Sequence, residues 1–225
     1  MALSERISLG SSVSALIDRP DTAEAGYVLA HGAGAGMTHP FMARTAAGLA
    51  ARNIATLRYQ FPYMERGSKR PDTPKIAHAA VRAAVSEAAR ALPGLALLAG
   101  GKSFGGRMTS QAQAAAPLPG VVGLVFLGFP LHPAGKPSIE RAQHLAAIRI
   151  PMLFVQGTRD EMADVSLIES TVGALGAQAT LHWVQDGDHS FRVPARSGRD
   201  PSQVLEGVFD AIQRWIERVL EGTGR

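Results

Sequence analysis

The sequence predicts an α/β fold in which helices cover both faces of a mostly parallel central sheet. Three observations predict it: short apolar runs alternate with helical patterns, a serine follows one run within a glycine-rich turn, and a second glycine-rich loop follows an earlier run. The 225 residues, of which 46% are hydrophobic and 19% charged, fit one domain spanning 1–225 with a sizeable core.

Eight runs along the chain have the length and composition of a strand. The first two predict a hairpin that turns near Gly10 and Ser11. The other six are predicted strands, and those at 27–30, 95–99 and 121–127 are predicted to be buried. In chain order the runs are Ile7–Leu9, Val13–Ile17, Tyr27–Ala30, Ile54–Arg58, Leu95–Ala99, Val121–Leu127, Met152–Gln156 and Thr180–Val184.

Five segments have apolar residues at helical spacing. Asn53 is predicted to end the first as a left-handed stop, and Asp200 with Pro201 marks the predicted start of the last. Because the segment Tyr59–Pro74 contains three prolines and a glycine, it is predicted to be irregular. The core face of the second helix is predicted to hold Ile76, Ala80, Ala84, Ala88 and Leu92. The helices are predicted at Phe41–Ala50, Lys75–Leu92, Phe104–Ala116, Val165–Leu175 and from Pro201 onward.

The turn from Gly101 to Gly105 matches the pattern G-x-S-x-G and links a buried strand to a helix. A serine on so sharp a turn is pushed above the sheet edge, and flanking side chains larger than that of glycine would clash. We therefore expect Ser103 to be a nucleophile. The N–H of Phe104 opens the helix and points toward the space above the serine, so it is a candidate oxyanion donor.

The same turn allows two other interpretations. It resembles the end of a phosphate-binding P-loop, but Ala96 stands inside the strand where that motif needs its first glycine, which excludes it. A glycine-rich turn with an incidental serine stays open on the motif alone. Partners for Ser103 elsewhere in the chain are needed to decide.

A second glycine-rich loop, His31–Gly36, also follows a predicted strand. It fits a dinucleotide-binding loop poorly, because Met37 stands where G-x-G-x-x-G needs its third glycine. An H-G-x-G stretch after a strand is where α/β-hydrolases draw a second oxyanion donor. Ala33 is the first choice for this donor and Gly34 the second. His31 is predicted to brace the loop through hydrogen bonds, since the triad order places the base last.

Candidates for an acid and a base follow the two last predicted strands. Asp160 stands just beyond its strand and is preferred to Glu161 and Asp164. His189 lies in a polar turn that can swing it over the sheet edge. With Ser103 they form the order nucleophile, acid, base, which is that of α/β-hydrolases.

Composition excludes several classes of protein. The chain has no cysteine, so neither a disulfide framework nor a thiolate metal site is available. Glu5 and Arg6 stand where a signal peptide needs an apolar core, and no apolar run approaches membrane-spanning length. We expect a cytoplasmic protein without a membrane partner.

The formal net charge of +4 raises the question of nucleic acid. The positive residues are scattered, and the densest group, Arg66 with Lys69 and Arg70, lacks the interleaved aromatic residues of a base-stacking surface. We expect no nucleic-acid partner. Attraction of a small anionic substrate explains the positive net charge as well as nucleic-acid binding would.

Six stretches resemble one known family, from about Gly26 to Gly198. It is a small α/β-hydrolase family that includes dienelactone-hydrolase-like bacterial proteins and a human testis-expressed relative. The chain is also similar to the hydrolase-like domain of a subunit of a nuclear histone-acetyltransferase complex. The stretches are LAHGAGAGM, FPYME, GGKSFGGRM, GFPLHPAGKP, QGTRDE and DGDHSF.

This resemblance implies an α/β-hydrolase fold, with Ser103 as nucleophile, Asp160 as acid and His189 as base. It also implies pocket roles for the FPYM and HPAGKP loops. The candidate substrate contacts that it implies are Lys102, Arg107 and His132. Lys102 departs from the bulky or aromatic residue that is common beside the nucleophile in other hydrolases.

These features predict a serine hydrolase that acts on a small-molecule substrate of ester type: an ester, thioester or lactone. The loop Gly128–Pro137 is too short for a helical lid, so the site is expected to be open. No metal or organic cofactor is expected, and a homodimer is compatible with the sequence. The alternative is a non-catalytic binding or scaffold module, as similarity to a chromatin-complex subunit suggests.

Overall fold

The computed structural model describes residues 5–9 and 13–222, and its centre is a sheet of eight strands. Their order across the sheet is first, second, fourth, third, then fifth to eighth. The strands are β1 (Glu5–Leu9), β2 (Val13–Asp18), β3 (Ala25–Ala30), β4 (Ile54–Tyr59), β5 (Ala96–Lys102), β6 (Val121–Leu127), β7 (Met152–Gly157) and β8 (Ala179–Val184).

All pairs from β4 across to β8 are parallel. β2 runs opposite to the other seven described strands and pairs antiparallel with β1 and with β4. The predicted hairpin is therefore present as the β1–β2 pair. Its turn, which was expected near Gly10 and Ser11, lies outside the described residues.

The described chain has α-helices on both faces of the sheet. One face carries α3 to α5, whose buried residues include Val81, Met108 and Ile168. The other carries α1 and α6, which bury Leu49 and Ile212. The predicted α/β architecture is confirmed. The helices are α1 (Pro40–Ala50), α2 (Pro62–Glu65), α3 (Pro74–Ala91), α4 (Phe104–Ala115), α5 (Val165–Leu175) and α6 (Pro201–Gly222).

β3 shows how one strand serves both cores. Successive side chains of a strand point to opposite faces, so Val28 packs in the core under α3 while Tyr27 and Leu29 pack in the core under α6. All six residues of β3 are buried, as expected for a central parallel strand. The Tyr27 hydroxyl donates a hydrogen bond to the Val125 carbonyl at 2.9 Å, so this buried polar group is satisfied.

The structure corrects three details of the predictions and adds one element. Within the segment predicted to be irregular, Pro62 starts the one-turn helix α2, because proline suits the first helical position. Ile76 is 42% exposed, since Ala77 and Val81 lie closer to the centre of the buried face of α3. β5 does not end at Ala99 as predicted but continues through Gly100 and Gly101 to Lys102. A 3₁₀-helical segment, Glu140–Ala147, precedes β7.

None of the helices in the described segments is long and apolar enough to cross a membrane.

The crossing of α1 and α6 provides a test of core packing. A Cβ atom on Gly48 would lie 2.2 Å from the ring of Phe209, which is buried and lies under the Arg52 guanidinium. We predict that Gly48→Ala lowers the free energy of unfolding by about 1–3 kcal/mol through overpacking. Gly207→Ala, within α6 and with no atom within 4 Å of the added Cβ, should raise it by about 0.5–1 kcal/mol. Urea denaturation measures both, and equal effects would contradict the packing argument.

Candidate active site

Ser103 occupies a strained turn between β5 and α4. Its backbone has φ +49° and ψ −114°, a conformation that L-residues rarely adopt. Its N–H donates to the Leu127 carbonyl at the end of β6, at 3.2 Å. The serine is thereby fixed at the carboxyl edge of the parallel strands, as the G-x-S-x-G motif predicted.

The glycines on either side of this turn allow close backbone contact with the end of β3. A Cβ atom on Gly101, where φ is +140°, would lie 2.1 Å from the Ala30 carbonyl oxygen. A Cβ atom on Gly105 would lie 2.6 Å from the His31 carbonyl oxygen. Larger residues cannot occupy either position without moving the backbone, so the spacing of the motif follows directly from packing.

The structure brings Ser103, His189 and Asp160 together from the ends of β5, β8 and β7. His189 Nε2 lies 2.8 Å from Ser103 Oγ, and His189 Nδ1 lies 2.7 Å from Asp160 Oδ2. The carboxylate side chain is fully buried, whereas the imidazole is 25% exposed. In this arrangement Nδ1–H donates to the carboxylate, and Nε2 can accept the serine proton.

Asp160 is held by two further donors. The amide of Gln156 donates to its Oδ2, and the N–H of Met162 donates to its Oδ1 at 2.9 Å. Gln156 is fully buried, and its own amide oxygen accepts the N–H of Phe129 at 2.9 Å. The sequence reasoning missed Gln156. Its signal was a single amide at the end of the apolar run of β7, four residues before the acid.

The turn that carries His189 is fixed by Asp188. Its Oδ1 accepts the N–H of Ser190 at 2.7 Å and that of Arg192 at 2.9 Å. Phe191 in this turn has φ +62° and is buried. Side-chain hydrogen bonds of this kind stabilise tight turns, so the imidazole is presented from a rigid loop.

Lys102, beside the nucleophile, extends to the same loop. Its Nζ donates a hydrogen bond to the His189 carbonyl and lies within 6 Å of the Phe41 and Phe191 ring centroids. Burial lowers the pKa of Lys102 to about 8, and the Asp160 and Asp188 carboxylates oppose this shift. The side chain thus connects the two loops that carry Ser103 and His189.

Of the three predicted oxyanion donors, one is engaged elsewhere. Gly34 N–H donates to the Tyr63 hydroxyl at 3.0 Å, which removes it from the candidate donors. Phe104 is the first residue of α4, so its N–H has no acceptor within the helix. Ala33 lines the cavity in front of Ser103. Phe104 and Ala33 stay candidate donors.

His31 braces the loop after β3, as predicted. It is fully buried; Nδ1 lies 2.7 Å from the Gly32 carbonyl, and Nε2 accepts the N–H of Phe61 at 3.0 Å. Burial lowers the pKa of His31 to about 4, against the opposing effect of the bond to Gly32. With both ring nitrogens engaged, His31 is not available as a base for Ser103.

A cavity of about 330 Å³ opens in front of Ser103. Its walls are mostly apolar, and Ser103 and His189 are among the polar residues that line it. Among residues 5–9 and 13–222, no cluster of three or more His, Cys, Asp or Glu is placed to hold a metal ion. The lining residues are Gly32, Ala33, Ala35, His39, Phe41, Met42, Lys102, Ser103, Met162, His189 and Ser190.

Two predicted substrate contacts lie outside this cavity. His132 is 3% exposed; its Nε2 accepts the N–H of Asp164 at 2.9 Å, and its Nδ1 lies 2.8 Å from the Pro133 carbonyl. It therefore fixes backbone, as His31 does. Arg107 points into a separate cavity beside α4. The HPAGKP loop, for which a pocket role was expected, lines that second cavity and not the cavity in front of Ser103.

The FPYM loop does not line the cavity in front of Ser103 either. Phe61 and Tyr63 are fully buried behind the loop that follows β3, where their rings pack edge-on against that of Phe104, with centroid distances of 5.2 and 6.3 Å. Tyr63 supports the loop directly through its bond to Gly34. This segment supports the backbone of the site and has no contact with the cavity.

A family model for the alpha/beta hydrolase domain matches residues 23–217. The chain belongs to this family. The match covers the strands and loops that supply Ser103, Asp160 and His189.

Solved structures of other α/β hydrolases share the fold. A dienelactone hydrolase from Anabaena variabilis has 19% identity and a TM-score of 0.75, over 97% of both chains. An α/β serine hydrolase without lid from Xanthomonas campestris has 20% identity and a TM-score of 0.71, over 95% of this chain and 94% of that chain. The esterase domain of a Rhodothermus marinus protein has 16% identity and a TM-score of 0.67, over 97% of this chain and 98% of that chain. The described part of this α/β hydrolase likewise has no lid domain.

His31 should make stability depend on pH. The unfolded chain binds a proton on this residue near pH 6.5, whereas folded His31 binds it only near pH 4. The contribution of neutral His31 is therefore complete above pH 6.5 and is lost as the pH falls toward 4, by on the order of 3 kcal/mol. We predict that His31→Gln flattens the fall in unfolding free energy over this range. Urea unfolding at half-unit pH steps measures it, and parallel curves for the two proteins would contradict the prediction.

Proposed function

We propose that this α/β hydrolase is a serine hydrolase that cleaves small ester-type substrates: esters, thioesters or lactones. The observation that carries the proposal is the chain of hydrogen bonds from Ser103 Oγ through His189 to Asp160, with the serine on a strained turn that opens into a cavity. A merely structural serine would not require this combination.

The mechanism follows from these positions. Ser103 Oγ attacks the substrate carbonyl carbon while His189 Nε2 takes the hydroxyl proton. The N–H groups of Phe104 and Ala33 donate to the oxyanion of the tetrahedral intermediate. As that intermediate collapses, the imidazolium protonates the leaving alcohol or thiol. Water then attacks the acyl-serine with His189 as the base, which releases the carboxylic acid and restores the serine.

The buried carboxylate of Asp160 keeps the imidazole in the productive tautomer and stabilises its protonated form. Gln156 in turn fixes this carboxylate relative to the backbone of Phe129. Both supporting residues are buried, so their positions are set by packing before substrate arrives. Such preorganisation favours turnover because no group has to reorient during reaction.

The cavity supports a small acyl substrate. Phe41, Met42 and Met162 give it apolar walls suited to the carbon skeleton of an acyl group, and about 330 Å³ accommodates a small molecule. The similarity to a dienelactone hydrolase and to an esterase domain supports lactones and esters as the first classes to assay.

Labelling with a fluorophosphonate tests this function without knowledge of the substrate. An activated serine hydroxyl reacts with the probe, whereas ordinary serines do not. We expect mass spectrometry to find the adduct on Ser103 and to find none in Ser103→Ala or His189→Ala. Ser170→Ala, which changes an exposed serine of α5, should label as the wild type does.

The same experiment decides against the proposal if folded wild-type protein is not labelled. Circular dichroism of each sample establishes that the protein is folded. In that case the chain would be a non-catalytic module of the α/β-hydrolase fold. Labelling of Ser103 would instead justify measuring kcat and KM on short-chain esters and lactones.

We further propose that Lys102 positions His189. The ammonium reaches the His189 carbonyl through a gap beside Gly128, where an added Cβ would lie 2.8 Å from Nζ. Phe41 and Phe191 lie beside the ammonium, so the lysine has little freedom to take another position. It acts on the turn that carries the base and needs no contact with substrate.

Lys102→Met tests this role because it keeps the apolar stem and removes the ammonium. We predict that kcat falls about tenfold or more with KM nearly unchanged, since misplacing a catalytic group mainly affects the transition state. The free energy of unfolding at pH 7 should not fall. Below pH 8 the buried lysine carries its charge at a cost in stability, and the variant removes that cost. Lys75→Met, at an exposed position of α3, is the matched control. A fall in the free energy of unfolding that accompanies the fall in kcat would indicate a structural role alone.

A further inference from the structure

A second cavity, of about 620 Å³, lies beside α4. α4 contributes Arg107 and Gln111 to it, and the loop after β6 together with the 3₁₀ segment closes the other side. It shares no lining residue with the cavity of Ser103. Arg107 stands one helical turn after Ser103, whose carbonyl accepts its N–H at 3.1 Å. The two cavities therefore lie near the same end of α4, with separate walls.

The charges of this second cavity are unbalanced. Arg107, Lys136 and Arg141 are cationic, and Glu140 is the single carboxylate among the lining residues. Within residues 5–9 and 13–222, none of the three cations forms an ion pair or a side-chain hydrogen bond. Two other partly buried arginines are satisfied, since Arg52 pairs with Asp210 and Arg82 donates to backbone carbonyls.

Arg107 carries the clearest sign of a missing partner. Its Nε is buried and has no hydrogen-bond acceptor. Burial, and secondly the charge of Arg141, lower the pKa of Arg107, so the two guanidinium groups repel each other inside the cavity. The terminal N–H groups of Arg107 are neither buried nor hydrogen-bonded to a described residue, so an oxyanion in the cavity would accept from them and offset both charges.

The surrounding groups are arranged as donors. His78 Nε2 engages the Gln111 amide oxygen at 3.3 Å, which leaves the Gln111 NH₂ as the free end of that side chain. His132 holds the loop wall in place through its bonds to the backbone of Asp164 and Pro133. Leu131, Pro133 and Pro137 supply apolar surface beside the charged groups.

We propose that this cavity is a binding site for a small organic anion, whose carboxylate or phosphate group is held by Arg107 and Arg141 and whose carbon skeleton packs on the proline-rich wall. Lys136 and the amide of Gln111 complete the donor set. Arg107 and the HPAGKP loop do not line the cavity of Ser103. A separate anion site gives both a function, because both line the second cavity. The site requires no catalytic step at Ser103.

Isothermal titration with sodium phosphate and with sodium malonate tests the proposal. The protein is the full chain in a chloride buffer held at constant ionic strength. We expect saturable binding of at least one of the two anions. Arg141→Gln and Arg107→Gln should each weaken it about tenfold or more, because each removes a charge-assisted hydrogen bond. Arg218→Gln removes an equal charge from the exposed side of α6 and should change the affinity less than twofold.

The two anions distinguish the sources of the ligand. Tighter binding of phosphate assigns a phosphorylated ligand, and tighter binding of malonate assigns a carboxylate. Ser103→Ala should bind the anion as the wild type does, which separates this site from the proposed hydrolase activity. The proposal is overturned if neither anion saturates, or if Arg218→Gln weakens binding as much as Arg141→Gln. Arg141 is only partly buried, so its variant decides the matter even if Arg107→Gln does not fold.

Discussion

The close backbone contact between β5, α4 and the end of β3 is the constraint on which the site depends. At Gly101 and Gly105 even one added carbon would lie within 2.1–2.6 Å of a carbonyl oxygen. This contact holds Ser103 in its strained conformation and sets the serine beside the loop that contains Ala33. Because β3 and β5 are paired neighbours at the centre of the sheet, the strain is supported by two buried strands that are hydrogen-bonded on both sides.

Beyond the sheet edge, side chains connect loops that are far apart in sequence. Gln156 links Asp160 to the exit of β6, and Lys102 links the serine turn to the His189 carbonyl. The bonds of Gln156 are buried, so they lie in a medium of low dielectric constant, where they are strong and where loss of one partner is costly. The three loops after β5, β7 and β8 consequently form one network.

The histidines show how partners determine the role of a residue type. His31 and His132 are both buried, and each uses its two ring nitrogens on neighbouring backbone. His189 is partly exposed and faces a carboxylate on one side and a hydroxyl on the other. Only this last arrangement leaves an imidazole able to exchange a proton with a reacting group.

The sequence alone determined the alternation of strands and helices, the serine turn, and the order of Ser103, Asp160 and His189, because these depend on local patterns of apolar residues and glycine. It also indicated that His31 braces its loop. Tertiary structure decided that Gly34 is engaged by Tyr63, that Gln156 holds the acid, and that Arg107 and His132 belong to a second cavity. Each of these depends on contacts between residues at least one turn or one loop apart, and on the direction in which a side chain points. Local spacing specifies neither, since both are set when helices and loops pack against the completed sheet.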